Sequence, residues 1–120
     1  VAVNGKINEN FESIIPLEIV TETGFEQIEV VIDTGFDGDL VLPQNLISRL
    51  NLIYLFSTRI DLVGETNKEV DFFRGQIKWL NNEIISVEII QDESFLIGTN
   101  LLKYGKLWVD YQSGKVLIKE

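Results

Sequence analysis

Asp33, Thr34 and Gly35 sit in a context that makes a common tripeptide a candidate for acid–base chemistry. Val30, Val31 and Ile32 run straight into the carboxylate, and Leu40, Val41 and Leu42 resume an apolar stretch soon after. Such aliphatic runs favour strands, so the acid is expected at the end of a strand that enters the interior. A carboxylate held near apolar surface is costly unless its surroundings pair or protonate it, and such groups collect at functional sites. The plainer reading is an Asp that caps its own turn by accepting local amide hydrogen bonds. The chain has no Cys, Met or His. That removes thiol nucleophiles, Ser-His-Asp triads and zinc centres of the usual nitrogen and sulfur type. Hydrolysis is left to carboxylates, hydroxyls, Lys or a cation held by oxygen.

The run from Val30 to Gly35 resembles the active-site signature of aspartic proteases. Its extension to Phe36 resembles a group of small retropepsin-like proteases of bacteria and archaea. A second segment, Phe95-Leu96-Ile97-Gly98-Thr99-Asn100-Leu101-Leu102, is similar to the Ile-Gly stretch that opens a short helix under the active site in retropepsin-like proteins. The resemblance reaches from Ile15 to Ile118. It implies an all-β fold: a retropepsin-like closed β-barrel or sandwich with a flap hairpin and one or two short helices. It also implies an aspartic endopeptidase that needs no cofactor and no metal.

Peptide hydrolysis by carboxylates requires two that share a proton, one activating water and the other protonating the carbonyl oxygen. At such range like charges push the pair's apparent pKa values apart by ~3 units. This chain has one Asp-Thr-Gly. The resemblance therefore implies a homodimer acting on a peptide or protein substrate, with Asp33 of each copy meeting on a two-fold axis.

By the same resemblance Thr34 sends its hydroxyl across that interface, and Gly35 lets substrate backbone approach. Gly98 and the helix behind it buttress the acid loop. Val31 and Leu96 line the pocket beside the scissile bond, and Val63, Gly64, Glu65 and Thr66 form the flap. Two positions depart from the pattern. Phe36 replaces a small residue, and its ring either narrows the cleft or packs into the core. Asp37 matches an acid that binds substrate backbone and pairs with an Arg, but Thr99 stands where that Arg would be. The other reading of Asp37 is a turn carboxylate beside Gly38 and Asp39. These departures keep open a retropepsin-like module that binds peptides or dimerises without cutting. A phosphate-binding Asp-x-Gly turn of the actin-like ATPase kind needs a far longer chain. A cation site at Asp33, Asp37 and Asp39 lacks the spacing of a Ca²⁺ loop.

The elements that must position these residues are nearly all strands. The 120 residues are 45% hydrophobic, enough for one domain, 1–120, with its own core. A net charge of -9 with only ten scattered basic residues argues against nucleic acid. No apolar run reaches membrane-spanning length, so no membrane contact is expected, and the acidity is read as that of a soluble cytoplasmic surface. Strands are predicted over 1–7 (broken at Asn4-Gly5), 14–21, 25–32, 40–42, 55–63, 69–80, 83–90, 95–97, 106–111 and 115–119. Pro16 requires an edge or a strand start. Helices are predicted over 44–50, from apolar residues at 46, 47 and 50, and over 100–104, capped by Thr99 and stopped by Gly105. A faint repeat links residues 31–35 with 95–99, each an apolar strand running into a small-residue turn. The terminal strands 1–3 and 116–118 are expected to present free edges that hold the dimer.

Overall fold

The computed structural model describes residues 2–62 and 64–120. Its elements are β1 (Ala2–Ile7), β2 (Ser13–Thr21), β3 (Gly24–Ile32), β4 (Leu40–Leu42), α1 (Gln44–Leu50), β5 (Ile53–Leu62) and β6 (Glu65–Trp79). They continue as β7 (Glu83–Gln91), β8 (Leu96–Ile97), α2 (Thr99–Leu102), β9 (Lys106–Asp110) and β10 (Lys115–Lys119). The strands form one sheet in the order β5-β6-β7-β4-β8-β3-β2-β1-β10-β9. A further pairing of β2 with β6 closes β6, β7, β4, β8, β3 and β2 into a ring.

Alternating side chains build this ring. In β2, Ile15, Leu17 and Ile19 are buried, and β3 sets Val30 opposite Ile15 and Ile28 opposite Leu17. Paired residues of adjacent strands share a face, so both rows point into one core with Leu40, Leu42, Ile77, Val87, Ile89 and Ile97. Each such side chain contributes roughly 2 kcal/mol on burial. The seam between β2 and β6 pairs only Glu18 with Lys78 and Ile19 with Ile77. Ile19 and Ile77 are fully buried, so interior packing holds the seam more than its backbone ladder does. Helix α1 buries Leu46, Ile47 and Leu50 and ends at Asn51 in the left-handed region.

Several expectations are corrected. β1 runs unbroken through Asn4-Gly5. Gly5 is needed for close approach, because a Cβ there would lie 2.1 Å from the carbonyl oxygen of Ile14. Pro16 lies inside β2 and meets the edge expected of it, not the strand start. It sits between the residues that pair with β1 (Ser13 and Ile14) and those that pair with β6 (Glu18 and Ile19). The sheet therefore has a gap on that edge, where a missing N–H costs no ladder bond. The predicted flap loop is tighter than its composition suggests. Leu62 pairs with Glu65, so Thr66 and Asn67 belong to β6, and side chains do the work of a loop. The Asn67 N–H donates to Asp61 Oδ1 at 2.8 Å, and Arg59 donates to the Asn67 carbonyl at 3.0 Å.

The terminal strands are also largely paired, the far edge of β1 before Lys6 being the part without a strand partner among the described residues. β1 pairs with β10 from Ala2↔Lys119 to Lys6↔Lys115, and β10 pairs with β9 on its other side. The sheet's outer strands are β5 and β9. Val1 lies outside the described residues. The repeat, by contrast, acquires a spatial meaning: β3 and β8 lie side by side and parallel, Val31 against Leu96 and Ile32 against Ile97.

Candidate active site

Asp33 follows the last residue of β3, and two backbone bonds tie it to the neighbouring β8 segment. The Val31 N–H donates to the Phe95 carbonyl at 2.9 Å, and the Asp33 N–H donates to the Ile97 carbonyl at 3.0 Å. The chain then turns: the Phe36 N–H donates to the Asp33 carbonyl at 3.2 Å, and the Gly35 N–H donates to Asp33 Oδ1 at 2.9 Å. Among the described residues that is the one hydrogen bond to the carboxylate. One oxygen thus serves the turn, as in a turn-capping Asp. The side chain is half-buried, and Thr34 and Gly35 are exposed beside it. The deep burial expected at the strand end stops at Val30, since Val31 and Ile32 are only half-covered.

Beyond the turn, the loop is clamped to the Gly98 segment. The Thr99 N–H donates to the Phe36 carbonyl at 2.8 Å, the Gly98 N–H to the Asp39 carbonyl at 2.9 Å, and the Asn100 N–H to the Gly38 carbonyl at 3.2 Å. Thr99 does not cap α2; Gly98 holds the cap position without a side-chain bond, and the Thr99 hydroxyl donates to the Phe36 carbonyl at 3.3 Å. No side chain fits at Gly98. A Cβ there would come 2.3 Å from the Gly38 carbonyl oxygen and 2.6 Å from both the Phe36 carbonyl oxygen and its ring.

The Phe36 ring is half-buried. It lies over Gly38 and Gly98 and joins Leu96, Ile60 and Phe72 around buried Val41, Val70 and Ile90. It therefore links the acid loop to the β5–β6 hairpin. Asp37 is exposed. Val31 and Leu96 pair side by side next to Asp33. Of the flap residues, Gly64 turns with φ 78° and Glu65 and Thr66 are exposed on β6, while Val63 lies outside the described residues. Lower on β6, Lys68 donates to Asp92 at 2.9 Å. That bond, and then Glu65, hold its ammonium above the ordinary lysine range against the opposing effect of desolvation.

Sequence reasoning gave Asp39 no structural part. Its Oδ1 accepts from Asn100 Nδ2 at 2.7 Å and its Oδ2 from the Glu88 N–H at 2.9 Å. One side chain thus fastens the acid loop to β7 and α2 together. Nothing in the local sequence announces this, because its partners lie far along the chain. Asp39 and Asn100 also line a cavity of about 480 Å³ with Trp79, Glu83 and Tyr104. Among the described residues no group of three or more carboxylates stands close enough to hold a metal ion. No helix among them is long and apolar enough to cross a membrane.

The fold has known counterparts. It is similar to a retropepsin-like aspartic protease from Rickettsia conorii over 98% of both chains, with TM-score 0.58 and 14% sequence identity. It is also similar to EIAV protease complexed with the inhibitor HBY-793, over 74% of this chain and 85% of that one, with TM-score 0.46 and 16% identity. The chain thus has the retropepsin-like all-β fold. Comparison of the sequence with family models and with curated proteins finds no match.

Proposed function

We propose that residues 1–120 act as one aspartic protease domain, of the small group with an Asp-Thr-Gly-Phe motif. In this reading the domain is a homodimeric endopeptidase that hydrolyses peptide bonds in a peptide or protein substrate. The observation that carries the reading is the placement of Asp33: half-buried on a turn clamped to the Ile97–Gly98 segment, within a retropepsin-like fold. A clamped turn holds a carboxylate in a fixed direction, as general acid–base catalysis requires. Two such loops facing across a two-fold axis would bring the acids within range of sharing one proton, one taking a proton from water and the other donating to the carbonyl oxygen. Thr34, exposed beside Asp33, is the group to reach the partner's loop, and Gly35 leaves room for substrate backbone. Val31 and Leu96 would line the cleft with Phe36 at its side, Asp37 would meet substrate from its exposed position, and Gly64, Glu65 and Thr66 would cover it. No cofactor or metal enters the reaction, and the net charge of -9 suits a cytoplasmic setting.

A second reading, a module that binds peptides without cutting, draws on Thr99. Its hydroxyl and amide are both spent on the Phe36 carbonyl, and it offers Asp37 no cationic partner. Turnover of a mixed peptide library by wild type and by Asp33→Asn separates the two. The protease reading expects cleavage that the substitution abolishes while the oligomer persists; equal behaviour of the two proteins would leave the binding module.

A further inference from the structure

The Asp33 turn is clamped through its backbone, but its side chains have little to hold them. Thr34, Gly35 and Asp37 are exposed. Among the described residues the carboxylate has a single hydrogen bond, from the Gly35 N–H at 2.9 Å. An exposed turn with few apolar contacts opens readily, whereas acid–base work needs a carboxylate held in one direction. Of residues 34–38, Phe36 alone packs on an apolar cluster.

Both backbone groups of Phe36 are committed to the site. Its N–H closes the turn on the Asp33 carbonyl, its carbonyl accepts from the Thr99 N–H, and the Thr99 hydroxyl donates to that same oxygen. Any shift of the residue therefore pulls on Asp33 and on the Gly98 segment together. The ring is what prevents such a shift. It fills the space that Cβ atoms on Gly38 and Gly98 would take, so two bare glycines make its seat.

On its far side the ring packs on Val41, Val70 and Ile90, against which Ile60 and Phe72 also pack. Ile60 belongs to β5, and Val70 and Phe72 belong to β6. Phe72 in turn stacks on Phe56 of β5, with ring centroids 4.7 Å apart. The hairpin thus lends an aromatic and aliphatic base to a residue just past the acid. Close-packed side chains pass displacement on, because a gap at one forfeits contacts at the next.

We propose that Phe36 is a positioning residue for Asp33: its ring ties the acid turn to the hairpin cluster, so that packing of the β5–β6 hairpin fixes the direction of the carboxylate. The inference rests on the reading of Asp33 as an acid–base group, and it gives Phe36 a part that needs no contact with substrate.

NMR of the Gly35 amide tests it, because that proton bonds Asp33 Oδ1. The temperature dependence of its resonance is shallow while the bond holds and steep once it is lost, and Asp33→Ala supplies the unbonded value. Phe36→Ala, and to a lesser degree Phe36→Leu, is expected to move Gly35 toward that value. Exchange of the Thr99 amide should quicken by roughly tenfold or more beyond any change at the amides of β2. Val70→Ala should act in the same direction while the ring is present and add nothing in the Phe36→Ala background, as coupled positions do. Circular dichroism checks each fold, and Phe36→Leu carries the test where the smaller residue unfolds the chain. Gly35 unmoved in the Phe36 variants, or moved equally by Val70→Ala with and without the ring, would overturn the proposal.

Peptidase assays read the consequence for chemistry. Phe36→Leu is expected to lower kcat by roughly tenfold or more while KM stays within about twofold. A raised KM at unchanged kcat would make the ring a wall of the cleft and overturn the proposal. Absence of turnover in wild type sinks the protease reading alone, and the Gly35 amide then decides the part of Phe36.

Discussion

The ring of Phe36 occupies the place where a side chain on Gly98 would stand, 2.6 Å from the position of its Cβ. The same ring lies 2.5 Å from where a Cβ on Gly38 would be. The two glycines nonetheless answer to different neighbours. At Gly38 the nearest atoms all belong to the ring, whereas at Gly98 two are backbone oxygens.

That difference predicts a selective rescue. Gly38→Ala and Gly98→Ala should each lower stability by about 1–3 kcal/mol through overpacking. Adding Phe36→Ala should recover most of the Gly38→Ala loss and little of the Gly98→Ala loss. Urea melts of five variants (the two glycine variants, Phe36→Ala and the two doubles) measure the coupling as two double-mutant cycles, corrected for the loss of the ring itself. Equal rescue at both positions would mean that the ring, not the backbone, limits Gly98.

Asp39→Ala should destabilise the chain by about 1–3 kcal/mol, because Asn100 and the Glu88 N–H lose their acceptor. Asp39→Asn keeps an acceptor oxygen and should recover part of that loss. Amide exchange at Gly98 and Asn100 should quicken in the Ala variant, since both amides bond the loop that Asp39 fastens. Unchanged exchange there would confine Asp39 to β7.

Glu26 on β3 and Arg49 on α1 form a paired contact, with Nη2 to Oε2 at 2.7 Å. The Arg49 hydrogen bond holds the Glu26 carboxyl below its ordinary value of 4.5. A carboxylate with a depressed folded pKa contributes stability that is present above its unfolded value and is lost as pH falls through the folded one. Glu26→Gln should therefore melt slightly below wild type at neutral pH, and the gap should close in acid below the ordinary glutamate value. Arg49 is exposed and Glu26 half-covered, so the gap should also shrink with added salt. A gap that persists at low pH and high salt would assign the effect to packing.

Gly5→Ala should be the most damaging single methyl outside the acid loop, because its Cβ would meet the Ile14 carbonyl oxygen at 2.1 Å. β1 would have to part from β2, at a cost of about 2–3 kcal/mol. Proteolysis near the N-terminus should rise accordingly.

Much of the fold was legible because alternation names the buried face of a strand. The strands expected over 25–32 and 83–90 fall within a residue of β3 and β7, and residues 46, 47 and 50 announced α1. Alternation does not name a strand's neighbour, and that is where reading failed. Nothing in residues 2–6 says that they pair with 115–119, so the chain ends were assigned to a partner molecule. At the candidate site, the apolar run into Asp33 picked out its turn and the family resemblance picked out the Ile97–Gly98 segment; the fold bonds the two through Asp33 N–H and the Ile97 carbonyl. Asp39 escaped notice because a turn carboxylate with remote partners looks like any other. Phe36 was undecided between cleft and interior because an aromatic residue in a turn suits either, and the fold leaves its ring half-covered and resting on two glycines.

The seam at Ile19 and Ile77 has a kinetic consequence. The hairpins of β2 with β3, β5 with β6, and β6 with β7 join segments near each other in sequence, so they can assemble early. The contact that turns the ribbon into a cylinder must bring together residues from opposite halves of the molecule, a slow event for a flexible polymer. That contact shares its long separation with Ile32↔Ile97 and Ala2↔Lys119, so these closures together would set the pace at which the sheet matures, and the half-made ribbon, with its oily side uncovered, would be the species most prone to clump.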